Sequence, residues 1–178
     1  MQEYTDLLLD GGIGIIATDT IYGIIGQALS PATIQRIYTV KRRTPTKPFI
    51  ILISNLSDLD SFGITIDETI KKVADTYWPG PVSIIVDCPH DNFEYLHRGT
   101  KTLAFRMPAD LALHNLITVT GPLAAPSANP EGLKPSATID EAKAYFNNQV
   151  DFYNEGTVHT KPSKIIKITN GTEEVIRA

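Results

Sequence analysis

Lys41-Arg42-Arg43-Thr44-Pro45-Thr46-Lys47-Pro48 runs directly into the apolar stretch Phe49-Ile50-Ile51-Leu52-Ile53. Upstream, Ser30-Pro31 supplies an N-cap and a first-turn proline. Ile34, Ile37, Tyr38 and Lys41 then recur at helical spacing. The stretch reads as a helix, a stiff basic exit and a buried strand, the alternation that marks an α/β protein. Cations at a helix C-terminus favour the macrodipole by ~0.3–1 kcal/mol each, yet four in eight residues exceed what one helix end calls for. No Asp or Glu occurs from Thr20 to Ser57. Two readings of the run stand at this point: a site for an anion, or a solvated helix end.

Outside this stretch the balance reverses. The chain of 178 residues has a net charge of -4, although residues 20–57 carry five cations and no acid. A local positive field on an acidic body suits a confined anionic ligand better than a long nucleic-acid track. Hydrophobic content of 42% with 20% charged residues is that of a globular protein, and the length suits a single domain over residues 1–178. No apolar run approaches the ~20 residues of a membrane helix. The single cysteine, Cys88, excludes an internal disulfide framework and fits a reducing cytoplasm.

Along the chain, helices are expected over residues 2–10, 31–41, 67–77, 109–119 and 138–148, the last with a Thr138/Glu141 capping box. Strands are expected over residues 13–17, 49–53, 82–86, 102–107, 151–153, 163–169 and 173–177, with Asn170-Gly171 as a hairpin turn. Residues 88–100 read as irregular. Helix–strand alternation early and a hairpin late predict a mixed sheet with helices packed on it. Thr18-Asp19-Thr20 ends the first strand, where ligands gather in open α/β sheets; the alternative is a turn in which Asp19 bonds its own backbone. Arg106, amid Ala104, Phe105 and Met107, needs a partner or a ligand because an unpaired buried charge is costly. Trp78 is either a stacking platform or a core aromatic. Pro126-Ser127-Ala128-Asn129-Pro130 closes another short buried run with small polar side chains held by prolines.

Several chemistries find no support. The histidines and Cys88 lack paired metal-ligand spacing, and no phosphate-binding P-loop, dinucleotide fingerprint or nucleophile elbow occurs. What remains is a set of cations, hydroxyls and amides at strand ends: Thr18, Lys41, Arg43, Lys47, Arg106, Ser127 and Asn129. Such groups suit the holding of phosphates and a small polar substrate. Charge-assisted bonds contribute ~1.5–3 kcal/mol each and stabilise charge that develops during nucleotidyl transfer.

The ordered series resembles the YrdC-like threonylcarbamoyl-AMP synthases of the single-domain type. Ala17-Thr18-Asp19-Thr20-Ile21-Tyr22-Gly23 looks like the family's P-T-[DE]-T-x-Y-G. Lys41-Arg42-Arg43 looks like its K-x-R, with Lys47-Pro48-Phe49 following. Trp78-Pro79-Gly80-Pro81-Val82-Ser83, Arg106-Met107-Pro108 and Pro126-Ser127-Ala128-Asn129 continue the series in order. The resemblance implies a twisted mixed sheet with flanking helices around a positively charged cavity. It also implies a nucleotidyltransferase that makes threonylcarbamoyl-AMP and pyrophosphate from L-threonine, bicarbonate and ATP in the cytoplasm. A separate transferase machinery would then modify adenosine 37 of tRNAs. By the same resemblance Lys41 and Arg43 are the catalytic cations. Lys41, Arg43, Lys47, Thr102, Asn129, Ser136 and Arg177 would bind ATP. Thr18, Arg106, Ser127 and Ser163 would surround threonine and its carbamate. Magnesium would arrive with ATP, held by phosphate oxygens and water with no dedicated protein site. Substituting Lys41 or Arg43 is expected to abolish activity with the fold intact, and substituting Arg42 to do little.

The chain departs from the pattern at Ala17 for proline, at Asn154-Glu155-Gly156 for a D-G-G-like turn, and at Lys164 for threonine. Lys164 either removes a hydroxyl from the substrate pocket or points outward on an alternating strand. Two other readings stay open: a module that binds double-stranded RNA or tRNA through the basic residues, and a paralogue of the same fold with another carbamoyl or acyl substrate.

Overall fold

The computed structural model describes residues 2–159, 161–169 and 171–178. In chain order the elements are α1 (Gln2–Leu9), β1 (Gly14–Ala17), β2 (Tyr22–Gln27), α2 (Pro31–Lys41), β3 (Ile50–Leu52), a 3₁₀ segment (Leu56–Phe62), α3 (Glu68–Tyr77) and β4 (Val82–Asp87). There follow α4 (Glu94–His97), β5 (Thr102–Arg106), α5 (Leu111–Thr120), β6 (Leu123–Ala124), α6 (Ile139–Phe146), β7 (Phe152–Asn154), β8 (Lys164–Thr169) and β9 (Thr172–Arg177). The strands form one sheet in the order β7-β1-β2-β6-β3-β5-β4-β8-β9. β1 with β7, β3 with β5 and β4 with β8 run parallel; the remaining neighbours are antiparallel.

Local chemistry sets the helix ends. Ser30 Oγ accepts the Thr33 N–H at 3.3 Å, and α2 stops where Arg42 turns left-handed at φ 50°. Asp67 caps α3 through the Ile70 N–H at 2.8 Å. Thr138 caps α6 through the Glu141 N–H. The return arm of that capping box differs from expectation, because Glu141 takes the Ala137 N–H at 2.7 Å. The expected hairpin joins β8 to β9, with Gly171 at φ 76°; its Asn170 lies outside the described residues.

Consecutive apolar residues feed two cores. Ile15, Ile24 and Ile51 belong to one cluster with Ile34, Ile37, Val73 and Phe146. Ile16, Ile25 and Leu52 point to the other face, beneath Leu8, Leu113, Leu116 and Ile117 of α1 and α5. A sheet covered on both faces needs apolar runs in place of polar alternation, and each buried Ile or Leu contributes ~1.5–3 kcal/mol. Trp78 is a core aromatic: it packs against the first cluster while its indole N–H donates to Val82 O at 2.7 Å.

The apolar pattern does not announce β2, because Gly23 and Gly26 interrupt it. Gly26 is a packing requirement. A Cβ there would lie 2.6 Å from Thr33 Cγ2 and 2.9 Å from Ile13 Cγ2, so α2 can sit on β2 only over a glycine. Residues 88–100, expected to be irregular, contain a 3₁₀ turn (Asp91–Phe93) and the short helix α4.

Candidate active site

A polar cavity of about 300 Å³ opens on one face of this sheet. Its floor is built from β3, β5 and β8 through Ile50, Arg106 and Ile165. Register explains the grouping: Leu52 lies opposite Arg106, and Ile165 opposite Arg177, and paired residues share a face. Thr18 and Thr20 enter from the turn after β1, Ser127 from the turn after β6, Arg43 from the exit of α2, and Ser163 from just before β8. The fold thus brings together Thr18, Arg43, Arg106, Ser127, Ser163 and Arg177. Three guanidinium groups among them make the wall cationic. The expectation of groups at the strands' carboxyl ends is met by Thr18 and Thr20 after β1, Arg106 at the end of β5, Ser127 after β6 and Arg177 at the end of β9, whereas Arg43 and Ser163 come from elsewhere.

Arg106 has found its partner. Its guanidinium donates to Asp19 and, at 3.5 Å, to Thr20 Oγ1. The other Asp19 oxygen accepts the Ala109 N–H at 3.2 Å. Asp19 therefore does not close a turn on its own backbone. Thr18 does so instead: its hydroxyl donates to Ile21 O at 2.6 Å and accepts the Thr20 and Ile21 N–H groups.

The basic run divides by direction. Arg42 is exposed. Lys41 is 1% exposed, and its ammonium donates to Ser127 O and, at 2.6 Å, to Asn129 O. Burial, with Arg43 alongside, lowers the Lys41 pKa to about 7, while the charge of Glu131 opposes the shift. Arg43 donates to Lys47 O at 3.0 Å and Pro48 O at 3.3 Å. It lies over the Phe49 ring, which stacks on Tyr38 at 4.2 Å. Lys47 is exposed and ion-paired to Glu131. Lys41 and Lys47 flank the cavity but do not line it.

The turn after β6 is internally bonded. Ser127 Oγ donates to Asn129 Oδ1 at 2.6 Å, and the Asn129 amide donates to Pro130 O and Leu133 O. Ser136 gives both its N–H and its hydroxyl to Ala128 O. Asn129 and Ser136 hold the turn that presents Ser127, and neither lines the cavity. On the opposite wall Arg177 donates to Ser163 O at 3.0 and 2.6 Å, and Ser163 Oγ pairs with Ser83 Oγ at 2.9 Å. Ser83 is a neighbour of the candidates that the sequence reading did not single out. Lys164 is not among the residues that line this cavity; its ammonium stands 5.4 Å over the Tyr77 ring. Thr102 is also absent from the wall. It shares a face with Arg106 but stands four residues back on β5, about 13 Å along the strand.

A larger cavity of about 540 Å³ shares Thr18 but is walled by Ile16, Leu113 and Leu116 with Asp19, Asp110 and Glu155 among its charged residues. Its sign is wrong for a phosphate chain. Among the described residues no group of His, Cys, Asp and Glu is arranged to hold a metal ion, and no helix is long and apolar enough to cross a membrane.

The family model named Sua5/YciO/YrdC, described as telomere recombination, matches residues 6–178. The chain belongs to the Sua5/YciO/YrdC family. Its fold is the one in the crystal structure of Pyrococcus abyssi Sua5 complexed with L-threonine, with a TM-score of 0.91 at 26% identity over 99% of this chain and 53% of that one. The threonylcarbamoyl-AMP synthase of P. abyssi is 34% identical over 130 residues, covering 72% of this chain and 38% of that protein. The synthase of Bacillus subtilis is 33% identical over 141 residues, covering 78% of this chain and 40% of that protein. The aligned stretches cover about two fifths of the length of these two curated relatives, and the whole chain spans about half of the P. abyssi Sua5 structure.

Proposed function

We propose that this chain is an L-threonylcarbamoyladenylate synthase acting in the cytoplasm, a nucleotidyltransferase that joins L-threonine, bicarbonate and ATP and releases pyrophosphate. The observation that carries the reading is the meeting of Thr18, Ser127 and Ser163 with Arg43, Arg106 and Arg177 around one cavity. At about 300 Å³, the cavity stands at the small end of the ~300–1,000 Å³ typical of ligand sites. A small amino acid and part of a phosphate chain suit it, with the nucleoside extending outward along the face that carries Thr102.

In this reading the threonine amine takes up the bicarbonate carbon to give a carbamate and water. A carbamate oxygen attacks the α-phosphorus, and the bond to pyrophosphate breaks. The nucleophile is the substrate's own, so the protein orients the reactants and neutralises charge. Arg106, steadied by Asp19, faces the threonine carboxylate. Thr18, Ser127 and Ser163 offer hydroxyls to the amine and carbamate, and Arg43 and Arg177 face the phosphates. Magnesium enters as part of the nucleotide substrate. The product passes to a transferase that modifies tRNA.

The RNA-binding reading draws no support from the placement of the cations. Lys41 is buried on backbone carbonyls, while Lys47 and Arg36 are paired with Glu131 and Asp151. The deciding experiment follows pyrophosphate released from ATP by the purified protein. Release that requires both threonine and bicarbonate is the expected result, with the threonylcarbamoyl adenylate detected by mass spectrometry. Equal release without threonine would overturn the assignment and favour a different acyl or carbamoyl substrate.

A further inference from the structure

Residues 41–47 collect cations in a stretch with no acid of its own, so their counter-charge must come from elsewhere in the chain. It comes from Glu131, two residues beyond Asn129. One carboxylate oxygen accepts both the Thr44 N–H and the Thr44 hydroxyl, the latter at 2.8 Å, and the other accepts the Lys47 ammonium. The Glu131 N–H donates to Lys41 O at 2.8 Å, which seats the residue against the run by backbone as well as side chain. Its charge is felt at Lys41 and Arg43 too, where it favours the protonated forms.

A backbone N–H, a hydroxyl and an ammonium converging on two oxygens form a set of donors that a phosphate group uses equally well. The occupant is exchangeable on physical grounds. The Lys47 side chain is 55% exposed and that of Glu131 25%, and an ion pair so open to solvent contributes little net stability. A phosphate chain of higher charge can compete for the same donors. The position adjoins Arg43, whose guanidinium lines the cavity.

We propose that Thr44 and Lys47 form a phosphate subsite whose resident anion is the Glu131 carboxylate, and that the terminal phosphates of the nucleotide exchange with it. Glu131 is then a specificity-determining residue. It keeps the cationic run neutralised while no nucleotide is bound and sets the competition that the terminal phosphates must overcome. This inference rests on the nucleotide-binding part of the synthase reading and adds the residue against which the nucleotide must compete.

The test is calorimetric binding of inorganic triphosphate and of AMP at low ionic strength to the wild-type chain, Glu131→Gln and Glu131→Ala. Both variants should bind triphosphate more tightly than wild type, by about three-fold or more given the weakness of exposed pairs. AMP affinity should stay unchanged, because AMP lacks the terminal phosphates. Adding Lys47→Ala should weaken triphosphate binding and erase most of the gain. Triphosphate affinity equal to or below wild type in both Glu131 variants, with AMP affinity retained, would overturn the proposal and leave Glu131 as a brace between two loops. These measurements use neither threonine nor bicarbonate. Failure of the exchange therefore stays distinct from failure of the synthase reading, which would appear as a missing adenylate in the wild-type assay.

Discussion

Arg106 and Asp19 form an ion pair at the cavity wall, with side chains 4% and 11% exposed. One end of Asp19 is fixed to the Ala109 N–H ahead of α5, so the pair fastens the turn after β1 to the end of β5. Arg106 is therefore a structural partner and a presented cation at once. Removing one member of such a buried pair leaves the other uncompensated, at ~3–5 kcal/mol. Asp19→Ala should lose about that much in urea unfolding, and Asp19→Asn, which keeps acceptor geometry, should lose less. Adding Arg106→Ala to Asp19→Ala should restore part of the loss, because no orphaned charge remains. A loss below 1 kcal/mol for Asp19→Ala would mean that water reaches the pair.

Within the basic run the three neighbouring cations should separate cleanly. Arg42 is exposed and left-handed, so Arg42→Ala should change stability by no more than about 0.5 kcal/mol and leave activity near wild type. Arg43→Ala should lower pyrophosphate release at limiting ATP roughly ten- to a hundred-fold, the worth of one charge-assisted bond. Steady-state kinetics over a range of ATP concentrations measures this.

Lys41→Ala should be less selective than the run's sequence suggests. It strips Ser127 O and Asn129 O of their shared donor, and a buried group left unpaired costs ~1–3 kcal/mol. Lower activity should therefore come with a lower midpoint in thermal unfolding. The burial of Lys41 thus adds a cost in stability to the loss of activity expected from the sequence. A Lys41→Ala chain as stable as wild type, yet inactive, would point to a direct phosphate-binding role for Lys41 and against the tethering of the turn as its main part.

Much of this was legible locally, and the remainder follows from contacts between distant segments. Caps such as Ser30, Asp67 and Thr138 act within one helical turn, so their residue types disclose the helix starts. The spacing that puts Ile34, Ile37 and Tyr38 on one face of α2 puts Lys41 there too. Its burial was implied by the period and masked by its charge. β2 was hidden because Gly26 answers to Thr33 and Ile13 across the packing interface. Similarly, nothing near Asp19 names Arg106 as its partner, and nothing near Lys47 names Glu131. Each pair joins residues more than 80 positions apart.

Packing at Gly26 admits a direct test. Gly26→Ala would drive a methyl group against Thr33 Cγ2 and Ile13 Cγ2, and overpacking of this kind costs ~1–3 kcal/mol. Pairing it with Thr33→Ser, which removes the obstructing methyl but keeps the hydroxyl that bonds Ser30 and Gly11, should recover part of the loss. Additive losses would show that β2 and α2 had shifted apart.

The Lys41 titration gives a pH signature whose sign is fixed by the direction of the shift. Burial, then the charge of Arg43, lowers its pKa to about 7 in the folded chain, whereas an unfolded lysine titrates near ~10.4. Below about pH 7 both states hold the proton. Between about 7 and ~10.4 the unfolded chain holds it and the folded chain releases it, so this group makes stability rise with pH. The neutral amine keeps two N–H bonds for the two carbonyls, so the turn after β6 stays tethered while the charge is lost. Urea unfolding across this window should show a steeper rise for wild type than for Lys41→Met, which has no proton to release. Lys41→Met should be the less stable chain throughout. Parallel slopes would mean that the two carbonyls hold the ammonium protonated in the folded state, and that its charge persists beside Arg43.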